Sequence, residues 1–199
     1  MASITHLLYL HGFRSSPKST KAAMVAERVR KLHPDVTWLC PQLPPSPKDA
    51  MRQVSDAIAA WPRDRMGVIG SSLGGFYATY VAQVRGCRAV LLNPAVDPAR
   101  DLAKYIGEEQ AAWHDPEQRF VFEPRFIDEL RPLRAGPLRE PAKFFAVIAK
   151  GDEVLDWQEM AARYSACRVE LLEGSDHALS DFDAHIAQVF DFLGLRAKA

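Results

Sequence analysis

The chain has 199 residues, of which 48% are hydrophobic, and its 25 lysines and arginines balance its 25 aspartates and glutamates. A chain of this length can bury its own core as one domain, so we predict a single domain over residues 1–199. With a formal net charge of zero, the chain has no net field that would favour nucleic acids or anionic membranes as partners. The three cysteines, Cys40, Cys87 and Cys167, form no C-x-x-C pair, which argues against a disulfide framework or a zinc site.

The amino-terminal sequence, MASITH, lacks the charged start and the long apolar region of a secretion signal. No apolar run reaches the roughly 18 residues that a membrane-spanning helix needs. We therefore expect a cytoplasmic protein that has neither a membrane nor a nucleic acid as its partner.

Short apolar runs alternate with amphipathic segments along most of the chain. The runs typical of strands are residues 4–10, 36–40, 66–69, 88–92, 143–149 and 168–172. The helices predicted around them cover residues 19–32, 46–61, 76–86, 156–164 and 181–193. Continuous apolar strands that alternate with helices predict a mostly parallel sheet covered on both faces. Ligands of such sheets bind beyond the carboxyl ends of the strands.

Residues 107–142 interrupt this alternation. The segment is rich in proline and has no clear succession of strand and helix, but its aromatic residues Trp113, Phe120, Phe122 and Phe126 argue against disorder. Long segments of this kind inside a compact domain are commonly functional. We predict a small insertion that folds over the strand ends as a cap.

The sequence GSSLGG at residues 70–75 follows the third predicted strand and precedes a predicted helix. It fits the pattern G-x-S-x-G, centred on Ser72, that places a nucleophilic serine on a sharp strand-to-helix turn. The small flanking residues suit a strained central residue whose hydroxyl is lifted above the strand end. Ser71 is expected to point sideways and to be replaceable. The simpler alternative is that the serine only caps the helix.

A serine nucleophile needs a base, and His177 in the sequence LLEGSDHAL is the best placed of six histidines. It follows the sixth predicted strand and precedes the last helix. A carboxylate that orients this base is expected after the fifth strand, where AKGDEVLD offers Asp152, Glu153 and Asp156. Asp152 comes first after the strand and is preferred, with Asp156 as its rival. The order Ser72, Asp152, His177 is that of α/β-hydrolases.

Acyl transfer also needs backbone N–H groups that bind an oxyanion. In α/β-hydrolases these groups follow the nucleophile and an early strand, which assigns them to Leu73 and to Phe13 in the sequence LYLHGFRSSP. His11 in the same sequence is expected to bond the loop backbone rather than to act as a base or a metal ligand.

Four stretches, YLHGFRSSPKSTKA, GSSLGGFYAT, GDEVLD and GSDHA, resemble the small bacterial YqiA/YcfP-like esterases of the α/β-hydrolase superfamily. The resemblance implies a serine carboxylesterase for short acyl esters, with Ser72 as nucleophile, Asp152 as acid and His177 as base. It also implies an α/β-hydrolase-like three-layer sandwich of about six strands, without the two leading strands of larger relatives. Residues 107–142 depart from the family stretch expected there.

The residues and the resemblance together predict hydrolysis of a small-molecule ester through an acyl-enzyme, with no metal and no organic cofactor. The same triad would serve an acyl thioesterase, because one fold and one triad host several reactions. A non-catalytic binding protein of the same fold is the alternative of a different class, and it would be expected to lack one of the three residues.

Overall fold

Strands and helices alternate through the computed structural model of the protein, which describes residues 3–112 and 115–195. The strands are β1 (His6–Leu10), β2 (Thr37–Leu39), β3 (Met66–Ser71), β4 (Arg88–Leu92), β5 (Glu109–Ala112), β6 (Asp115–Val121), β7 (Phe144–Ala149) and β8 (Arg168–Leu172). The helices are α1 (Thr20–Leu32), α2 (Pro47–Ala57), α3 (Leu73–Arg85), α4 (Pro98–Asp101), α5 (Pro124–Leu130), α6 (Trp157–Arg163) and α7 (Phe182–Leu193). The sequence predicted all of these except α4, β5, β6 and α5.

The strands β1, β2, β3, β4, β7 and β8 form one parallel sheet in the order β2-β1-β3-β4-β7-β8. The chain adds β2 on one side of β1 and β3 on the opposite side, and such a reversal opens a crevice at the carboxyl ends of the strands. At these ends Leu10 pairs with Gly70, and Ser71 pairs with Leu92. The GSSLGG sequence therefore lies next to the end of β1.

Apolar side chains pack on both faces of the sheet, because successive strand residues point to opposite faces. Leu8 and Leu10 of β1 join a core with α2, α3, α5 and α6. Leu7 and Tyr9 join a second core with α1 and α7. Every residue of β3 and β7 is buried, as expected for central strands that are covered on both faces. The three-layer α/β/α sandwich predicted from the sequence is confirmed.

Residues 107–142 contain an antiparallel hairpin, β5 with β6, followed by α5. The sequence did not predict the hairpin, because EQAA and DPEQRFV hold few of the β-branched and aromatic residues that favour strands. Trp113, one of the aromatic residues that argued against disorder, lies outside the described residues.

The hairpin and α5 pack against the body of the domain through aromatic rings. Phe122 and Phe126 are buried. The ring of Phe13, in the loop after β1, meets the rings of Phe120 and Phe122 edge-on, with centroids 6.0 and 5.7 Å apart. The segment is thus in contact with the loop that follows the first strand.

The longest helices among the described residues, α1 and α3, have 13 residues each. Neither they nor any other helix within 3–112 and 115–195 combines the length and the apolar content needed to cross a membrane.

Candidate active site

Ser72 occupies the turn between β3 and α3, with φ 55° and ψ −121°. A positive φ is strained for a residue with a side chain and costs of order 1–3 kcal/mol. Backbone hydrogen bonds hold the turn: the Ser72 N–H donates to Leu92 (2.9 Å), and the Ser72 carbonyl accepts from Gly75 (2.8 Å) and Ala95 (3.0 Å). Ser72 is therefore fixed at the carboxyl end of β3 by its neighbours on both sides.

The glycines of this turn are required by close backbone packing. A Cβ atom on Gly70 would lie 2.1 Å from the carbonyl oxygen of Gly74, and a Cβ atom on Gly74 would lie 2.0 Å from that of Leu10. Both distances are far below van der Waals contact, so α3 can pack on β1 and β3 only because these residues have no side chain. The packing of α3 on the sheet therefore requires glycine at these two positions of GSSLGG.

Ser71 and Ser72 differ in backbone conformation and in exposure. Ser71 is the last residue of β3 and is buried, with 8% of its surface exposed. Ser72 is partly exposed, and unlike Ser71 it has a positive φ. Both border a cavity at the strand ends, but the turn geometry supports Ser72 as the candidate nucleophile.

His177 and Asp152 are in contact although 25 positions separate them. The Nδ1 atom of His177 is 2.8 Å from Oδ2 of Asp152, whose side chain is fully buried, whereas 13% of the His177 side chain is exposed. The second carboxylate oxygen of Asp152 accepts the N–H groups of Val154 and Leu155, each at 2.8 Å. These bonds fix the carboxylate, and a carboxylate at Nδ1 leaves Nε2 as the unprotonated ring nitrogen.

Asp156, the rival of Asp152, has a different partner. It precedes α6 as the N-cap residue, and its Oδ1 accepts a backbone N–H of the first turn at 2.8 Å. Asp176, next to His177 in the sequence, accepts the N–H and the hydroxyl of Ser180 at 2.9 and 2.7 Å. These hydrogen bonds hold the pKa of the Asp176 carboxyl below its usual value. Of the three carboxylates, the structure brings Asp152 to the His177 ring.

His11 is buried directly after β1 and bonds the backbone, as its sequence context indicated. Its Nδ1 lies 3.0 Å from the carbonyl oxygen of Gly12, and its Nε2 accepts the N–H of Leu43 at 3.1 Å. Because Nε2 accepts a hydrogen bond, Nδ1 carries the proton. His11 thereby ties the loop after β1 to the segment that precedes α2.

The two residues predicted to supply the oxyanion hole, Phe13 and Leu73, belong to segments that contact Ser72. Leu73 is the first residue of α3, and the first N–H groups of a helix have no partner within it. Phe13 follows Gly12, where a Cβ atom would lie 3.2 Å from the Cβ of Ser72. Phe13 and Leu73 also border the same cavity as Ser72.

A cavity of about 560 Å³ lies at the carboxyl ends of the strands, with Ser72 and His177 in its wall. Much of its wall is apolar and is formed by Ala95, Pro98, Leu102, Tyr105, Val154 and Leu155. A second cavity of about 530 Å³ shares Phe13 and Leu73 with the first and reaches Phe120 of the hairpin. Volumes of this size accommodate a small organic molecule.

Asn93 has no part in the sequence-based prediction, yet it connects the elements of the site. It follows β4, is fully buried and has φ 43°. Its side chain bonds the end of β7 and the loop that carries His177. The signal in the sequence is the dipeptide Asn93-Pro94 directly after an apolar strand, because asparagine tolerates a positive φ better than most residues.

Within residues 3–112 and 115–195, no three His, Cys, Asp or Glu side chains are grouped so as to hold a metal ion. The cysteines are unpaired. Burial raises the pKa of the Cys40 and Cys87 thiols to about 12, so both are protonated at neutral pH and are poor nucleophiles.

Almost the whole chain matches a known protein family. Residues 6–194 match the family described as "Uncharacterised protein family (UPF0227)". The chain belongs to this family. The resemblance to the YqiA/YcfP-like proteins is thereby confirmed. UPF0227 proteins of Yersinia pseudotuberculosis and Yersinia pestis are 22% identical to this chain over 190 residues, which cover 94% of this chain and 97% of theirs.

Solved structures similar to this UPF0227 protein are α/β-hydrolases. A putative hydrolase from Agrobacterium vitis S4 has a TM-score of 0.75 and 17% identity, over 96% of this chain and 91% of its own. The mouse alpha/beta hydrolase domain-containing protein 10 has a TM-score of 0.70 and 16% identity, over 97% of this chain and 92% of its own. Est1E from Butyrivibrio proteoclasticus has a TM-score of 0.69 and 15% identity, over 97% of this chain and 88% of its own. The predicted α/β-hydrolase fold is confirmed.

Proposed function

We propose that this UPF0227 protein is a serine hydrolase that cleaves small carboxylic esters. Ser72 is the nucleophile, His177 the general base and Asp152 the carboxylate that orients the base. The observation that carries the proposal is the 2.8 Å contact between His177 Nδ1 and Asp152 Oδ2, in a fold that places His177 and the strained Ser72 in the wall of one cavity. Strained backbone and a buried carboxylate each cost stability, and both are common where a site is built for catalysis.

Acylation begins with attack of Ser72 Oγ on the ester carbonyl carbon, while His177 Nε2 takes the hydroxyl proton. Asp152 stays ionised and stabilises the imidazolium that forms. The tetrahedral intermediate then collapses, because His177 returns its proton to the departing alkoxide. The products of this step are the free alcohol and an acyl group on Ser72.

The ester carbonyl oxygen becomes an oxyanion in the tetrahedral intermediate. We assign its stabilisation to the backbone N–H groups of Leu73 and Phe13. The amino terminus of α3, a helix of 13 residues that begins at Leu73, adds a partial positive charge at the same place.

Water completes the cycle by attacking the acyl carbon, and His177 Nε2 accepts the proton that the water loses. That proton passes to Ser72 Oγ when the second tetrahedral intermediate breaks down and the carboxylic acid leaves. Both steps use groups of the chain and water.

Relatives of known reaction class support ester hydrolysis. A structure from the work on LipS and LipT, described as metagenome-derived lipolytic enzymes, and an esterase from Pyrococcus furiosus share the fold with this chain, at TM-scores of 0.66 and 0.62. Since the same triad can attack a thioester, rates on an oxygen ester and a thioester of the same acyl group decide which bond is preferred.

We also propose that residues 107–142 act as a cap on the single domain of residues 1–199 and shape the acyl pocket. Phe13 borders both cavities, and the rings that hold it in place, Phe120 and Phe122, come from this segment. A change in the packing of the hairpin would therefore move a wall of the pocket.

The nucleophile is tested by labelling with a fluorophosphonate probe and by hydrolysis of p-nitrophenyl acetate and butyrate. The wild type should be labelled, and Ser72→Ala should lose the label and roughly 10⁴–10⁶-fold in turnover. Ser71→Ala is the matched control, because it removes the neighbouring hydroxyl and should keep most of the activity.

Near-full activity in a Ser72→Ala protein whose circular dichroism matches the wild type would refute the assignment of Ser72. A folded wild-type protein that is neither labelled nor active on esters or thioesters would instead behave as a non-catalytic binding protein.

A further inference from the structure

The sequence SSPKSTK at residues 15–21 supplies side chains to the cavity wall but has no part in the reaction proposed above. Lys21 lies in the first turn of α1. Its ammonium group donates a hydrogen bond to the carbonyl of Ala178, the residue after His177. The chain thus places a cation next to the loop of the proposed base.

Lys21 forms no ion pair with any carboxylate of the described ranges, 3–112 and 115–195. The carboxylates that act on it through space, Asp176 and Asp152, are already bound by Ser180 and by His177. Burial lowers the pKa of Lys21 to about 8 in spite of these two negative charges. Lys21 is half-buried, and an ammonium that is partly removed from water without an ionic partner is stabilised by an anion, so an anion brought by a ligand would be held there.

An ammonium group has three N–H donors. In Lys21, one of these donors bonds the carbonyl of Ala178, and this is its hydrogen bond within the part of the chain that the structure describes. Two donors are therefore left for a molecule that enters the cavity, which matches the two oxygens of a carboxylate.

The charges of the cavity wall are predominantly positive. Four basic residues border the cavity: Arg14, Lys18, Lys21 and Lys104. Two acidic residues border it: Asp101, which pairs with Arg100 at 2.7 Å, and Glu153, which accepts the N–H of His177 at 3.0 Å. The wall therefore favours an anion over a cation.

We propose that Lys21 binds a carboxylate group of the substrate, so that the esters this protein prefers carry a negative charge. The inference rests on the proposed ester hydrolysis and names its substrate class. An anion at Lys21 gains a charge-assisted hydrogen bond in a cavity partly shielded from water, where such a bond is stronger than at an exposed lysine. The apolar wall at Leu102, Val154 and Leu155 contacts the uncharged part of the ester.

The bond from Lys21 to Ala178 also steadies the loop of His177, so the loss of Lys21 is expected to lower the turnover of every ester. An anion site differs from a structural clamp in one respect, because it affects charged substrates more than neutral ones. The quantity to measure is therefore the ratio of kcat/KM for an anionic ester to kcat/KM for its neutral counterpart.

Two pairs of substrates are compared. In one pair the charged ester carries its carboxylate on the acyl half, and in the other pair on the alcohol half. For the acyl half, p-nitrophenyl hydrogen succinate is compared with p-nitrophenyl pentanoate. For the alcohol half, p-nitrophenyl butyrate is compared with the same ester carrying a carboxylate on the nitrophenyl ring. Intrinsic reactivity differs within each pair, but it cancels when the ratios of two protein variants are compared.

Lys21→Met keeps the length of the side chain and removes its charge, whereas Lys21→Arg keeps the charge. Lys31→Met is the matched control, since Lys31 is exposed on the same helix and pairs with Glu27 at 2.8 Å. The ratio should fall roughly 10- to 100-fold in Lys21→Met for at least one pair, stay high in Lys21→Arg and be unchanged in Lys31→Met. An equal loss on charged and neutral esters in Lys21→Met would overturn the proposal.

A binding measurement separates this proposal from the proposed reaction. In the Ser72→Ala protein, monomethyl succinate should bind and should raise the pKa of Lys21, followed by NMR of ¹³C-labelled lysine with Lys21→Met for assignment. If the wild type hydrolyses no ester but this binding is seen, only the proposed function fails. If the monoester does not bind, or binds equally well without Lys21, the carboxylate site is wrong.

Discussion

The side-chain amide of Asn93 donates a hydrogen bond to the main-chain carbonyl of His177, at 3.1 Å. The same amide nitrogen lies 3.0 Å from the carbonyl of Asp176, and the Asn93 Oδ1 accepts the N–H of Ala149 at 2.8 Å. Ala149 ends β7, three residues before Asp152. One buried asparagine at the end of β4 therefore ties the strand that leads to the carboxylate to the loop that carries the histidine.

Asn93→Asp should destabilise the protein by about 2–4 kcal/mol, because two donors are lost and a buried carboxylate then faces two carbonyl oxygens. Aspartate keeps the shape of the side chain and an oxygen that accepts the N–H of Ala149. The loss of stability therefore reports the hydrogen bonds to the loop of His177. Urea unfolding measures the change, and kcat should fall more than KM rises. A free energy of unfolding within about 0.5 kcal/mol of the wild type would contradict this role.

Asp152→Asn should lower kcat by roughly 10³–10⁴-fold with little change in KM, because an amide cannot stabilise the imidazolium of His177. Asp156→Asn is the matched control. Asparagine caps a helix as well as aspartate does, so this variant should stay within about twofold of the wild type. A reversed result, with Asp156 essential and Asp152 dispensable, would reassign the acid of the triad.

Gly12→Ala should lower kcat by about tenfold while the protein stays folded. The new Cβ would lie 3.2 Å from the Cβ of Ser72 and 3.7 Å from its Oγ, so the nucleophile or the loop of the oxyanion hole must shift by a few tenths of an ångström. Gly136→Ala is the control, since a Cβ there has no neighbour within 4 Å. Wild-type kcat in a folded Gly12→Ala protein would show that this contact does not set the position of Ser72.

Local signals explain why the sheet and the turn at Ser72 could be predicted from the sequence. Apolar runs of strand length and capping residues mark the elements, and Gly70 and Gly74 mark the turn, because its packing excludes side chains there. The sequence also brought Asp152 and Asp156 forward together. The order along the chain favoured Asp152 but left Asp156 as a rival, because the choice depends on the path of the loop, which folds the N–H groups of Val154 and Leu155 onto Asp152.

Asn93 and Lys21 could not be predicted, because their roles depend on contacts across the fold. Asn93 bonds a carbonyl 84 positions away, and Lys21 bonds one 157 positions away. Neither residue belongs to a spacing pattern that predicts such a contact. The β5–β6 hairpin was missed for a related reason, since its strands are stabilised by pairing with each other and by packing on Phe13 rather than by β-forming residues.

The preference for an anionic ester should decline as the pH rises through about 8. Burial lowers the pKa of Lys21 to about 8, against the opposing effect of Asp176 and Asp152. The charged ammonium is therefore present below this pH and lost above it. Because kcat/KM reports the ionisation of the free enzyme, the ratio for p-nitrophenyl hydrogen succinate and p-nitrophenyl pentanoate follows Lys21, while any effect of pH that is common to both esters cancels.

The ratio is measured between about pH 6 and about pH 9.5, after subtraction of the hydrolysis seen with Ser72→Ala. Lys21→Arg is the decisive control, because a guanidinium stays charged throughout this range. In Lys21→Arg the ratio of the two kcat/KM values should stay constant over the pH range in which the wild-type ratio declines. A decline of equal size in Lys21→Arg would place the titrating group elsewhere in the cavity and would remove Lys21 as the origin of the preference.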